Sequence, residues 1–399
     1  MGIEAVDAMG AEIERRWLTV DYEPRHFSDI CSSALAAAGL PDRIDPDAIV
    51  SWALEAPTLP RQETLPATFG QPPVTLFRSR RFYVEALFWI DGSTTIHQHS
   101  FSGAFQVLDG SSIETRYSFE PERQFDGHFV LGTLRATRTS LLRKGDIRPI
   151  VSGQGQLIHS LFHLDRPSVT IVARTFRDAS AGPQFRYAWP GIGENPSFAE
   201  ETLDRAIELV TMLRQIDHPE LEEKVGALVA RSDLHGAYRL LNECFPHLDR
   251  ALFERLLSRL RDPAAVEVFR ASFEETRRIR LLLSRRNVVK EPELRFFLGV
   301  LLNVHERRDA LELVRARVPD RAPSAQVASW VRQLSTLNLK LRAAGAVWEP
   351  NMLGLPEITG ELERALAEEL EGRAAPPGSE AEQFLTRLRA MPALSALFD

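Results

Sequence analysis

The chain has 399 residues, of which 44% are hydrophobic and 26% are charged, and its formal net charge is −7. This composition is that of a globular protein, and the acidic balance argues against a nucleic-acid binder, whose surface would be basic. Two distant cysteines, Cys31 and Cys244, exclude a disulfide framework and favour a reducing compartment. No apolar stretch approaches the length of a bilayer span and the N-terminus lacks a signal pattern, so we expect a cytoplasmic protein without membrane contact.

Residues 1–73 are predicted to form an N-terminal helical segment. Asp45 followed by Pro46 is typical of a helix start, with an acidic cap and proline at the first helical position. The preceding run of helix formers ends at Gly39, and a proline-rich connector follows at 58–73. These signals indicate short helices rather than a separate large core.

Residues 74–190 have a different character, with short β-rich segments separated by turn signals. Examples are Phe82–Ile90 and Ser168–Phe176, with turns at Asp109-Gly110 and Lys144-Gly145. Many short strands at close spacing predict an antiparallel barrel or sandwich.

Three histidines stand out within this β region. His97 and His99 are two residues apart, so in a strand their imidazoles project from the same face. His159 follows a turn-rich segment and could bring a third nitrogen from a neighbouring strand. Three neutral imidazoles that converge make a divalent metal site with open coordination positions, and we predict such a site here.

Residues 198–399 are predicted to form an all-α domain. Leu203, Ile207 and Val210 follow a helix-face spacing. The segment Leu294–Val304 is hydrophobic nearly all round, which favours a central helix of the bundle over an exposed docking face.

The histidines stand in a frame of glycines that resembles the cupin superfamily. In its first motif a glycine precedes His-x-His and another closes the next strand, as Gly92 and Gly110 do here. The second motif keeps its order in this chain as Gly145, Pro149, Gly153 and His159. The resemblance implies an α+β fold with a cupin-type antiparallel β-barrel, preceded by short helices and followed by the all-α domain.

The acidic ligand of the first cupin motif is missing, because its position falls on Gly103. A three-histidine set without a carboxylate is similar to the thiol dioxygenases, meaning the cysteine and cysteamine dioxygenases. In that family three histidines hold Fe(II), a thiolate substrate binds the iron, and O₂ is activated beside it. The resemblance therefore implies His97, His99 and His159 as iron ligands, although Zn, Ni or Mn would also suit imidazole.

The same resemblance suggests further site residues. Arg78 is the nearest candidate for pairing with a substrate carboxylate, and Arg174 is a second substrate-binding candidate that could point into the barrel. His163 stands where the motif has asparagine, and together with Tyr117 it is a candidate catalytic residue. The family's Ser-His-Tyr relay has no counterpart around Val172, which argues against an ordinary cysteine dioxygenase.

The leading hypothesis is a non-haem Fe(II) dioxygenase whose partners are O₂ and a small thiol or similar iron-chelating molecule. One alternative is a metal-cupin that performs no oxidation, such as a lyase or isomerase. Another is a ligand-sensing or interaction protein whose helical half binds a partner. A homodimer through the barrels is compatible with the resemblance, although the flanking helices could cover those surfaces.

Overall fold

The computed structural model describes residues 3–63, 70–90, 94–153, 156–176, 178, 181–244, 250–337, 354 and 357–399. Gly92, which belongs to the first glycine frame, lies outside the described residues. Helices come first, strands occupy the middle of the chain, and helices follow to the end. The predicted α+β class, with an antiparallel barrel between two helical regions, is confirmed.

The N-terminal helices are short, as predicted. They are α1 (Ile3–Leu18), α2 (Pro24–Ala38), α3 (Leu40–Arg43) and α4 (Pro46–Glu55). Asp45 caps α4 by accepting a hydrogen bond from the Asp47 amide, and Gly39 ends α2 with a left-handed φ of 56°. Phe27 and Leu35 of this region are fully buried in a core shared with the first sheet.

Five strands form an open antiparallel sheet in the order β1-β2-β9-β4-β7. Their bounds are β1 (Pro73–Arg78), β2 (Phe82–Trp89), β4 (Gly103–Asp109), β7 (Ile147–Ile150) and β9 (Ser168–Thr175). One face of this sheet packs on the N-terminal helices, as shown by Phe82, Ala86 and Ile171. The other face supplies Trp89, Phe105 and further apolar residues to a separate core that faces the second group of strands.

Six strands close into an antiparallel barrel in the order β10-β11-β6-β5-β8-β3. Their bounds are β3 (Ile96–His97), β5 (Ser111–Gln124), β6 (Phe129–Arg143), β8 (Ile158–His163), β10 (Arg186–Ala188) and β11 (Ile192–Glu194). The ring closes where β10 pairs with β3. The sequence patterns did not predict β10 and β11, because three residues are too short for a period-two pattern.

Strand β8 presents two chemically different faces, since side chains alternate along a strand. Leu161 packs toward the five-stranded sheet, in the same core as Trp89 and Phe105. Phe162 points the other way, into the core of the helical half. The barrel therefore joins both the N-terminal part of the molecule and the C-terminal helices.

The C-terminal region is helical, as predicted. Its helices are α5 (Glu201–Gln215), α6 (Leu221–Arg231), α7 (Leu234–Cys244), α8 (Arg250–Leu257), α9 (Pro263–Val288), α10 (Pro292–Asn303), α11 (Arg307–Arg317), α12 (Pro323–Thr336), α13 (Gly360–Leu370) and α14 (Glu380–Arg389), followed by a 3-10 helix (Pro392–Leu397). Helix α10 is buried from Phe296 to Asn303, which confirms the prediction of a central helix. Among the described helices, none combines the length and the apolar character needed to cross a membrane.

The barrel and the helical half are held together by direct packing. Phe162 is 1% exposed, and a Cβ at Gly299 of α10 would lie 2.9 Å from its ring, so no larger residue fits at Gly299 without movement. The Arg286 guanidinium lies 4.6 Å from the centroid of the same ring. Thr115 of β5 also donates a hydrogen bond to the Asn303 carbonyl at 3.0 Å.

Phe162→Ala is expected to lower the free energy of unfolding by about 3–5 kcal/mol, since it leaves a cavity between β8 and α10. Chemical denaturation followed by circular dichroism measures the change. Phe125→Ala is the matched control, because Phe125 is 38% exposed and its loss is expected to cost only about 1 kcal/mol. Equal effects of the two substitutions would contradict the packing of Phe162 against α10.

Candidate metal centre

The structure brings the three predicted histidines together. His97 on β3 pairs directly opposite His159 on β8, and His99 follows just beyond the end of β3. Their ring centroids are 4.7 to 5.0 Å apart, and one ring nitrogen from each lies within 4.8 Å of the others. All three are buried, with at most 4% exposure. The Gln98 side chain between them points away, and its Oε1 accepts hydrogen bonds from the Tyr187 hydroxyl and the Gln156 amide.

Hydrogen bonds determine which nitrogens face the common point. The Nδ1 of His97 lies 2.7 Å from the Thr95 carbonyl oxygen, which only accepts, so Nδ1 carries the proton and Nε2 keeps its lone pair. The Nδ1 of His159 lies 3.3 Å from Glu114 Oε1 and donates in the same way. The Nε2 atoms of His99 and His159 are 3.0 Å apart. Two imidazole nitrogens bound at right angles to one metal would lie about 3 Å apart, so this pair fits a shared ion.

The surroundings keep these imidazoles neutral. Burial, together with the nearby His159, lowers the pKa of His97 to about 3. Burial and the other two histidines hold the pKa of His99 well below its usual value. A neutral imidazole is the form that binds metal, so no proton has to leave these two rings before an ion binds.

Glu114 on β5 was missed by the sequence analysis. It is fully buried and ion-paired with Arg148 at 2.9 Å and Arg116 at 3.3 Å. Burial alone would raise its pKa, but His159, Arg116 and Arg148 together lower it to about 2, so the carboxylate is charged. Glu114 contacts Nδ1 of His159, not the Nε2 edge, so it orients the ring without joining the nitrogen cluster. Alternating polar residues at 112, 114 and 116 were the available signal.

Gly103 is the position where a cupin would carry its acidic ligand. It pairs with Arg174 of β9, and a Cβ at this position would clash with the Ala173 carbonyl oxygen. A side chain is therefore excluded by the close approach of β4 and β9. No carboxylate can therefore stand at this position of the chain.

Arg174, predicted to bind substrate, lies on the side of β9 that faces the cluster. Its guanidinium is 3.4 Å from the ring centroid of Phe101, and that ring is 4.7 Å from His99. Glu85 pairs with it at 3.5 Å, and the Arg174 side chain keeps 20% exposure. Burial lowers the pKa of Arg174 and raises that of Glu85. Arg174 thus places a positive charge near the histidines, with the Phe101 ring between its guanidinium and His99.

The other predicted site residues lie away from the cluster. Arg78 is exposed on the edge strand β1 and is ion-paired with Glu63. Tyr117 is on the opposite face of β5, with its hydroxyl 3.4 Å from Ser160 Oγ, and burial raises its pKa to about 12.

His163 shares a face of β8 with His159, but four residues along a strand span about 13 Å. Its ring stacks on Trp89 with the centroids 4.4 Å apart, and its Nδ1 lies 2.9 Å from Ser112 Oγ. Burial lowers the pKa of His163 to about 3. The structure therefore shows no direct contact of His163 with the three histidines.

Comparisons with known proteins found similar solved structures only. No family profile and no curated protein matches the sequence. Hydroquinone 1,2-dioxygenase from Sphingomonas sp. TTNP3 is 10% identical over 27% of this chain and 67% of its own, with a TM-score of 0.20. A DMSP lyase from Ruegeria pomeroyi DSS-3 is 13% identical over 43% of this chain and 92% of its own, with a TM-score of 0.22. Vicilin from Capsicum annuum is 12% identical over 35% of this chain and 40% of its own, with a TM-score of 0.20.

Glu114→Gln is expected to weaken Co²⁺ binding by about 10- to 100-fold, because the amide orients and polarises His159 less well than the carboxylate. Competition with a chromophoric chelator measures the affinity. Glu120→Gln is the control, since Glu120 is exposed on the same strand. Equal Co²⁺ affinity of the two variants would rule out the role of Glu114.

Proposed function

We propose that the chain is a cupin-type metalloenzyme in which His97, His99 and His159 hold a divalent first-row metal. The observation that carries the proposal is the convergence of three buried imidazoles, with the Nε2 atoms of His99 and His159 only 3.0 Å apart. A bound cation would take up the lone pairs that the three buried rings bring close to one another. Glu114 and the Thr95 carbonyl fix the tautomers of two of the rings in advance.

We propose Fe(II) as the metal, while Zn, Ni and Mn are compatible with the same donors. The ion would supply Lewis-acid chemistry and, as iron, the capacity to activate O₂ beside the substrate. Three neutral ligands leave the positive charge of the ion uncompensated, which favours a substrate with an anionic donor such as a thiolate. The proposed reaction is therefore the dioxygenation of a small thiol.

The protein's own groups would bind and shield such a substrate. Arg174 presents donors in a planar fork that matches a carboxylate, and its partial exposure leaves it accessible. Phe105 and Leu161 line the core next to the histidines and would exclude water from the reacting end of the substrate. Glu85 holds Arg174 in place while Phe101 separates it from His99.

Metal content tests the first part of this proposal. The purified protein is expected to carry close to one first-row metal ion per chain, and His97→Ala is expected to lose most of it, because one of three metal–nitrogen bonds is removed. Elemental analysis by plasma mass spectrometry measures this. His26→Ala, at an exposed helical position, is the control and should retain the metal. Equal metal content in all three proteins would disprove the site.

Oxygen uptake by the Fe(II)-loaded protein with a panel of thiols tests the reaction. For a thiol that bears a carboxylate, we expect the double variant Glu85→Gln/Arg174→Gln to raise KM by about 10- to 100-fold, since an ionic hydrogen-bonded pair is lost. Changing both partners avoids leaving Glu85 buried without its cation.

The matched control is Glu63→Gln/Arg78→Gln, which removes the ion pair between Glu63 and Arg78 of the edge strand β1. This control variant should leave KM unchanged. If it raises KM more than the Glu85→Gln/Arg174→Gln variant does, Arg78 and not Arg174 binds the substrate carboxylate. No oxygen uptake with any thiol by protein of full iron content would overturn dioxygenation and favour a Lewis-acid reaction.

A further inference from the structure

A cavity lies on the opposite side of the barrel wall from the histidines. It has a volume of about 390 Å³, within the range of small-molecule sites. Strands β3, β5, β8, β10 and β11 form one wall, and helices α7, α9 and α10 form the other. His97, His99 and His159 do not line it. The cavity is thus built jointly by the barrel and the helical half.

Aromatic side chains line part of this cavity. Trp189 stacks on His305 with the centroids 3.9 Å apart and an interplanar angle of 8°. Tyr187 and Tyr238 also line the walls, and each is supported from behind by a phenylalanine ring. Rings held in this way offer fixed apolar faces and edges to another aromatic group.

The charges of the lining are compensated within the protein. Arg186 is ion-paired with Glu194, and Glu275 is ion-paired with Arg278 at 2.7 Å. Burial lowers the pKa of His305 to about 4, so it is neutral at physiological pH. A charged ligand would have to displace a partner from one of these ion pairs to gain an opposite charge, whereas a neutral ligand would not.

Uncharged polar groups complete the lining. Thr276 and Asn242 bring a hydroxyl and an amide from α9 and α7, and Tyr117 and Ser160 bring a pair of hydroxyls from the barrel. Burial raises the pKa of Tyr117 to about 12, so its hydroxyl stays protonated. These groups can exchange hydrogen bonds with the polar substituents of a ligand.

We propose that this cavity binds a small, neutral aromatic compound that carries hydroxyl or amide groups. The ring would contact the tyrosines and Trp189, and its substituents would meet the hydroxyl and amide groups. This site is independent of the metal site proposed above and gives the helical half a binding role. It does not depend on the reaction at the histidines.

A matched set of four probes tests the proposal on the full chain by isothermal titration calorimetry. The probes are naphthalene-2-carboxamide, its carboxylate and methylammonium counterparts, and the saturated decalin carboxamide. We expect saturable binding of the neutral aromatic amide, about tenfold or more tighter than each of the other three. Absence of saturable binding, or equal binding of a charged or saturated probe, would overturn the proposal.

Asn242→Trp locates the binding site, because Asn242 is exposed at the cavity wall and a larger ring there fills the space. It should weaken binding of the amide by about tenfold or more, and Asn242→Phe is the milder variant if the first fails to fold. Gln333→Trp, exposed on α12 away from the cavity, should bind normally. Binding that is lost in His97→Ala but kept in folded Asn242→Trp would place the ligand at the histidines and overturn the inference.

Discussion

The pairing of His97 with His159 across β3 and β8 is the contact on which the proposed chemistry depends. Strand β3 is two residues long, so its register is held by its neighbours, with β8 on one side and β10 on the other. A slip of one residue would turn His97 and His99 to the opposite face and bring Gln98 inward. Closure of the barrel by the short strand β10 is therefore also what positions the metal donors.

Much of this arrangement is predictable from the sequence, and the limits have physical causes. The i, i+2 spacing of His97 and His99 fixes a common face once a strand is assumed, and helix starts such as Asp45-Pro46 are local signals. The contribution of Glu114 depends on pairing between β5 and β8, which are separated in the chain by β6 and β7, and so needs the tertiary register. Tyr117 illustrates the remaining difficulty, since alternation predicts two faces of a strand but not which one is turned toward the histidines.

Several charged side chains lie buried between the sheet and the barrel. Glu114 is shared by Arg116, Arg148 and His159, and Glu85 holds Arg174. Ion pairs at such depth stabilise little by themselves, because desolvation offsets much of their attraction. Their effect is to fix positions and to leave a surplus of positive charge around the neutral imidazoles. The resulting positive electrostatic potential would favour a bound anion, such as the proposed thiolate substrate.

Strand β5 contributes to both proposed sites, with Glu114 turned toward the histidines and Tyr117 toward the cavity. Gain or loss of a residue between Glu114 and Tyr117 would turn one of these two side chains to the opposite face, except where a β-bulge absorbs the change, as the β5–β6 pairing does at two places. Substitutions can therefore change either site separately, whereas a change in the length of the segment between Glu114 and Tyr117 affects both sites.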